Sequence, residues 1–294
     1  MGKSTNRDNK LHRHTENDNA RRDFNDGKHT AKKVGHREFK RIVGRNNEQK
    51  SLVNQLFAGG DLIITGDAGT GKTFVSSVCA LDMMLNDKYP FKKLILIRPN
   101  QPLGPSVGML KGDMMEKIWP WICPFVDAFD HRIDRNTLSG MIELGQIELV
   151  LVEHLRGRTF KDAIILVDEI QNMTDTAAKC LLTRKGEGSK MILMGDLEQC
   201  DLPKGETSAL DYIDDIDEIA DNRGIRRPYH YITLKQNERS VESAWWSQMN
   251  QIHDEWDFEI EDESVLNSNN DKVLQMFPDI TGADQHEITS IGGK

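Results

Sequence analysis

An apolar run at 62–65 and a helical pattern at 73–85 are joined by Gly66-Asp67-Ala68-Gly69-Thr70-Gly71-Lys72-Thr73. This stretch fits G-x-x-x-x-G-K-[ST], with a strand before it and a helix after it, and nothing else in the chain restricts the fold so tightly. Glycines at 66, 69 and 71 let backbone N–H groups curl around phosphate oxygens with no Cβ in the way. Lys72 then brings a point charge to the β- and γ-phosphates, and Thr73 offers a hydroxyl to Mg2+. The helix N-terminus adds partial positive charge behind the loop. Gly66, Asp67, Ala68, Gly69, Thr70, Gly71, Lys72 and Thr73 are therefore the expected nucleotide-binding residues, and ATP with Mg2+ is what such a loop takes.

Downstream, Ala163-Ile164-Ile165-Leu166-Val167 runs straight into Asp168-Glu169. Asp168 is expected to hold Mg2+ with Thr73, and Glu169 to orient and deprotonate an attacking water. Taken alone, an apolar strand ending in two acids is as often an ordinary solvated strand end; paired with the upstream loop it points to hydrolysis. A phosphotransferase would instead exclude water. The run 191–194 leads into Gly195-Asp196-Leu197-Glu198-Gln199, where the Gln199 amide is placed to register the γ-phosphate. That last motif is weak by itself.

Strand candidates at 62–65, 94–97, 147–152, 163–167, 191–194 and 229–234 alternate with helical patterns at 73–85, 176–182 and 208–220. A further helix begins near Asn46 and ends at Gly59-Gly60. Alternation of this kind predicts an α/β fold with a mostly parallel sheet covered by helices on both faces. Residues 100–124, rich in Pro and Gly, read as loop with a short helix at 114–119. Beyond Ser240, Trp245, Met249, Ile252 and Trp256 fall on one helical face, which reads as packing.

Charge separates the ends from the middle. Residues 1–45 hold 13 Lys/Arg, 6 Asp/Glu and four His, a net of +7, while the rest of the chain has 25 Lys/Arg against 41 acids. From Asp254 onward there are 11 acids and two lysines. The expected organisation is a basic, disordered arm at 1–40, a folded domain at 41–256 and an acidic, flexible tail at 257–294. Apolar runs of about five residues are far short of the roughly 20 that a membrane helix needs. Cys79, Cys123, Cys180 and Cys200 form no C-x-x-C pair, which excludes a zinc ribbon and disfavours a disulfide framework. Soluble, cytoplasmic and reducing surroundings are expected.

The chain resembles the PhoH family of P-loop ATPases. The resemblance runs over roughly residues 45–250, in GDAGTGKT (66–73), RPNQPLGPSVGMLKGDMMEKIWPW (98–121), EHLRGRTF (153–160), IILVDEIQN (164–172), LTRKGEGSK (182–190) and GDLEQCDLP (195–203). It implies a RecA-like P-loop NTPase core similar to the first motor domain of superfamily 1 helicases. By the same likeness Asn46-Asn47-Glu48-Gln49 corresponds to the stretch whose glutamine reads adenine, making Gln49 the candidate base reader. Ile170 stands where the family usually has Ala, a core-facing change. Leu234-Lys-Gln-Asn-Glu-Arg-Ser240 departs from the family's pattern and resembles the superfamily 1 segment whose arginine contacts the γ-phosphate, so Arg239 is the expected finger and Arg184 the runner-up. Arg98 is read as engaged by the loop after it. Arg156 and Arg158 fit a nucleic-acid loop and a plain turn equally well.

Two functions stay open at this point. One is an ATPase motor on single-stranded RNA or DNA, working as a homo-oligomer or ring because only 55 residues follow Arg239. The other is a nucleotide-dependent switch or assembly protein without helicase activity. The small, tail-flanked core suits a phage or bacterial cytoplasmic protein, and no membrane partner is expected. Since the arm has almost no apolar residues to bury, deleting residues 1–35 should leave the melting temperature nearly unchanged in a thermal scan. A large drop would make the arm part of the fold.

Overall fold

The computed structural model describes residues 39–99, 114–196 and 198–238, together with Trp245 and Met249; for 114–121 it describes the backbone only. Most of the basic arm, the acidic tail, Leu197, Arg239, Ile252 and Trp256 lie outside the described residues. Trp245 and Met249 are helical and fall in a unit that begins at Arg239.

In the unit ending at Glu238, the described elements are α1 (Asn47–Phe57), β1 (Asp61–Gly66), α2 (Lys72–Leu85), β2 (Lys93–Ile97), α3 (Met114–Phe129), α4 (Arg135–Glu143), β3 (Ile147–Val150), β4 (Ala163–Val167), α5 (Asp175–Leu182), β5 (Lys190–Gly195), α6 (Ala209–Asn222) and β6 (Tyr229–Leu234). Short 3-10 turns cover Val152–His154 and Ile170–Asn172. The six strands form one sheet in the order β3-β2-β4-β5-β1-β6. Every pairing in it is parallel, so the expected α/β core with a mostly parallel sheet is present, and its described sheet is parallel throughout.

Parallel strands joined by helical crossovers are buried on both faces and read as unbroken apolar runs. Alternate side chains then serve opposite layers. On one face Leu62, Ile64, Leu94, Leu96, Ile164 and Leu166 pack with α1, α2, α3 and α4. On the other, Ile63, Ile95, Ile165, Val167 and Leu193 pack with α5 and α6. Ile170 is fully buried in that second layer, as its place in the sequence suggests.

Helix starts follow their caps. Asn46 accepts from the Gln49 N–H at 2.8 Å, Thr174 from Ala177, and Ser208 forms a reciprocal capping box with Asp211. At the end of α1, buried Lys190 donates to the Leu56 carbonyl, one of the acceptors a helix C-terminus leaves open.

Two expectations need correction. The helix at 114–119 runs on to Phe129 through Pro120 and Pro124. Each interior proline costs about 3 kcal/mol in an exposed helix, but here Ile122, Phe125, Val126 and Phe129 are buried against the sheet, and that burial outweighs propensity. The strand at 147–152 stops at Val150 because the chain turns into the 3-10 segment Val152–His154. Helix α4 is an addition, started by Asp134, whose carboxylate accepts from the Thr137 N–H at 2.9 Å and which buries only Leu138 and Met141.

Candidate functional site: a phosphate loop facing an acidic strand end

The loop after β1 is shaped by glycines at two points. Gly66 has φ +141°, and a Cβ there would lie 1.9 Å from the Leu234 carbonyl oxygen; the close approach of β6 leaves room only for hydrogen. Gly71 has φ +88° at the N-cap of α2. No side chain caps this helix, so its first N–H groups face the loop as donors for an anion. Lys72 folds back over the loop, donating to the carbonyls of Gly66 and of Asp67 (2.8 Å), with the Asp196 carboxylate 4.0 Å away. Burial lowers its pKa, opposed by Asp196, Glu169, Asp168 and Asp67.

Opposite stands the end of β4. Thr73 Oγ1 donates to Asp168 Oδ1 at 2.8 Å, so the two residues expected to share a metal already touch. Asp168 is almost fully buried, and burial, with the neighbouring Glu169 charge, pushes its pKa up to about 6, against the pull of Arg98 and Thr73. A buried carboxylate beside a hydroxyl is a hard-oxygen donor set of the kind Mg2+ takes along with phosphate oxygens and water. The residues fit that ion. Glu169 adopts φ +54°, a left-handed conformation uncommon outside glycine, which turns it off the strand line. Its Oε1 lies 3.3 Å from Arg98 Nη2, and its Oε2 accepts from Gln171 Nε2 at 2.7 Å.

Gln49 is buried, donating to the Thr70 carbonyl at 2.9 Å and accepting from the Arg45 N–H at 3.0 Å. It braces the loop and also lines a cavity of about 550 Å³ with Gly69, Gly71, Phe74, His131 and Glu238. Gln199 contributes its backbone: its carbonyl accepts from Gln171 Nε2 at 3.0 Å, while its side chain is exposed. Arg184 bonds the Cys180 and Arg158 carbonyls at the end of α5. Arg158 pairs with Glu148 at 2.6 Å, and Arg156 is exposed.

Three features escape a reading of the sequence. Arg98 is turned to the acids, 3.9 Å from Asp168 Oδ2 and 3.3 Å from Glu169, while most of the loop expected to engage it lies outside the described residues. Gln171 sits inside the IILVDEIQN stretch with no local sign of its function. The strap 235–238 crosses the loop: Asn237 Nδ2 donates to the Ala68 carbonyl and the Glu238 N–H to that of Gly69, each at 3.0 Å. Glu48 anchors the strap by accepting from the Lys235 and Gln236 N–H groups. The departure of this stretch from the family pattern was the available signal.

The raised Asp168 pKa has a sign that can be tested. Between about pH 4 and 6 the folded chain binds more protons there than the unfolded one, so this contribution to stability falls as pH rises through that window and stays low above it. Asp168→Asn should therefore raise the melting temperature by about 3–8 °C at pH 8 and by little at pH 4. A lower melting temperature at pH 8 would mean that the buried charge stabilises the fold.

Comparison with known proteins identifies the family. The family model described as PhoH-like protein matches residues 41–245. The PhoH-like protein of Bacillus subtilis is 39% identical over 180 residues, covering 61% of this chain and 51% of the relative. Protein PhoH of Escherichia coli K12 is 33% identical over 176 residues, covering 59% and 49%. The chain thus spans about half the length of the curated relatives it matches. Among solved structures, Pif1 helicase from Candida albicans aligns with a TM-score of 0.37 at 20% identity, over 71% of this chain and 43% of that one. A large terminase from a thermophilic bacteriophage aligns with 0.44 at 13%, over 69% and 49%. On the match over residues 41–245, the chain belongs to the PhoH-like protein family.

Proposed function

We propose that this chain binds ATP with Mg2+ and hydrolyses it. The observation that carries the reading is the 2.8 Å hydrogen bond from Thr73 to Asp168 at the mouth of an uncapped helix N-terminus. In this reading the loop N–H groups of 67–73 and Lys72 cradle the β- and γ-phosphates. Thr73 and Asp168 hold the metal, which when bound supplies charge neutralisation across the phosphates. Lys72 leaves the carbonyls of Gly66 and Asp67 for the phosphate oxygens, a stronger charge-assisted partner. Glu169 takes the proton of the attacking water.

Gln49 and the cavity beside it receive the base. Gln199 responds to the γ-phosphate through the segment after β5. The finger is assigned to Arg239, which follows the strap directly. Coupling to single-stranded RNA or DNA is supported by the +7 charge of residues 1–45 and by exposed Arg156; a cytoplasmic homo-oligomer is part of the same proposal.

Two substitutions separate binding from chemistry. Lys72→Ala should abolish tight ATP binding in a calorimetric titration, because the loop loses its own cation. Glu169→Gln should keep ATP and Mg2+ while slowing turnover by about 10²-fold or more. Unchanged affinity in the first variant contradicts the phosphate cradle; parental turnover in the second means another group activates water.

A further inference from the structure

We propose that Gln171 is a positioning residue that fixes the Glu169 carboxylate and couples it to the segment after β5, so that Glu169 and residues 195–201 act as one unit. The inference rests on the hydrolytic reading above and deepens it. Glu169, off the strand line at φ +54°, takes no support from the β4 ladder, and its side chain is oriented by its neighbours. The nearer of these is Gln171. Its buried amide donates one proton to Glu169 Oε2 at 2.7 Å and the other to the Gln199 carbonyl at 3.0 Å. Its Oε1 accepts from the Asp196 N–H at 3.1 Å. Both donors and the acceptor oxygen of this amide are thus engaged, which leaves a single orientation that satisfies them all.

The backbone fastens the same connection. The Gln171 carbonyl accepts from Ser208 Oγ at 2.9 Å and from Cys200 Sγ at 3.4 Å. Next to it, Asn172 Oδ1 accepts from the Asp201 N–H at 2.7 Å. At its other end the segment reaches the loop cation, since Asp196 lies 4.0 Å from Lys72. A displacement of Lys72 towards phosphate therefore acts on Asp196, and through the Gln171 amide on Glu169.

Gly195 supplies an independent sign that the amide's place is built in. A Cβ there would lie 2.9 Å from Gln171 Oε1, 3.0 Å from Ile170 Cγ2 and 3.0 Å from Leu210 Cδ1. Gly195 is not among the described glycines of positive φ, so what it provides is space. Arg98, by comparison, reaches the other oxygen of Glu169 at 3.3 Å and makes no bridge to the segment after β5 among the contacts described.

The test uses the full chain with Gln171→Met, which keeps length without hydrogen-bonding groups, and Gly195→Ala, which displaces the amide without altering it. Each is made alone and together with Glu169→Gln. ATP turnover should fall about tenfold or more in either single variant, with KM for ATP and calorimetric affinity for ADP within about twofold of the parent. In the Glu169→Gln background neither should lower the residual rate further, because the effect runs through Glu169. Parental turnover in Gln171→Met, or an equal fractional loss in the Glu169→Gln background, overturns the positioning role while leaving the hydrolytic reading intact. Parental turnover in Glu169→Gln, or no turnover in the parent, overturns both.

Discussion

Everything at this site depends on one short contact across the sheet, the Thr73–Asp168 hydrogen bond. Its partners are 95 residues apart in sequence, on the far sides of β5, which lies between β1 and β4. Two strand spacings amount to about 10 Å. The loop closes that gap by curling back from the end of β1 into α2, whose first turn carries Thr73. The curl in turn requires Gly66 against the Leu234 carbonyl and Gly71 at φ +88°. The parallel sheet, the glycine loop and the acidic strand end are therefore parts of one constraint. Altering the strand order would separate the hydroxyl from the carboxylate.

Charge at the site is unbalanced. Lys72 and Arg98 face Asp67, Asp168, Glu169 and Asp196. Burial raises the pKa of Asp168 and Asp196 and lowers that of Lys72, so every one of these three groups is held in a charged form at some expense to the fold. A bound divalent cation and a polyphosphate would relieve both sides at once, the cation at the acids and the phosphates at Lys72. Natural sites commonly keep such strain where ligands bind.

Much of this was legible in the sequence, for a definite reason. Each strand is buried on both faces and so is written as an unbroken apolar run, and the eight-residue loop carries its chemistry in consecutive positions. What escaped was non-local. Helix α3 crosses Pro120 and Pro124 because of what Phe125 and Phe129 pack against, which no local propensity reports. Arg98 meets Glu169 because β2 is the neighbour of β4 in the sheet. Gln171 gains its role from the return of the chain at 196–201, and the strap at 235–238 from the place where β6 ends. Pairing order decides these contacts, and residue spacing does not encode it.

The central claim is that the loop and the acid strand together read phosphates and a metal. It is tested most directly by titrating the full chain calorimetrically with ATP, ADP and AMP, each with Mg2+ and with chelator. The account predicts that ATP and ADP bind with Mg2+, that chelation weakens ATP, and that AMP, lacking the β-phosphate the loop cradles, binds about a hundredfold more weakly or not at all. Equal affinity for AMP and ATP, or no effect of Mg2+ on ATP, would contradict it.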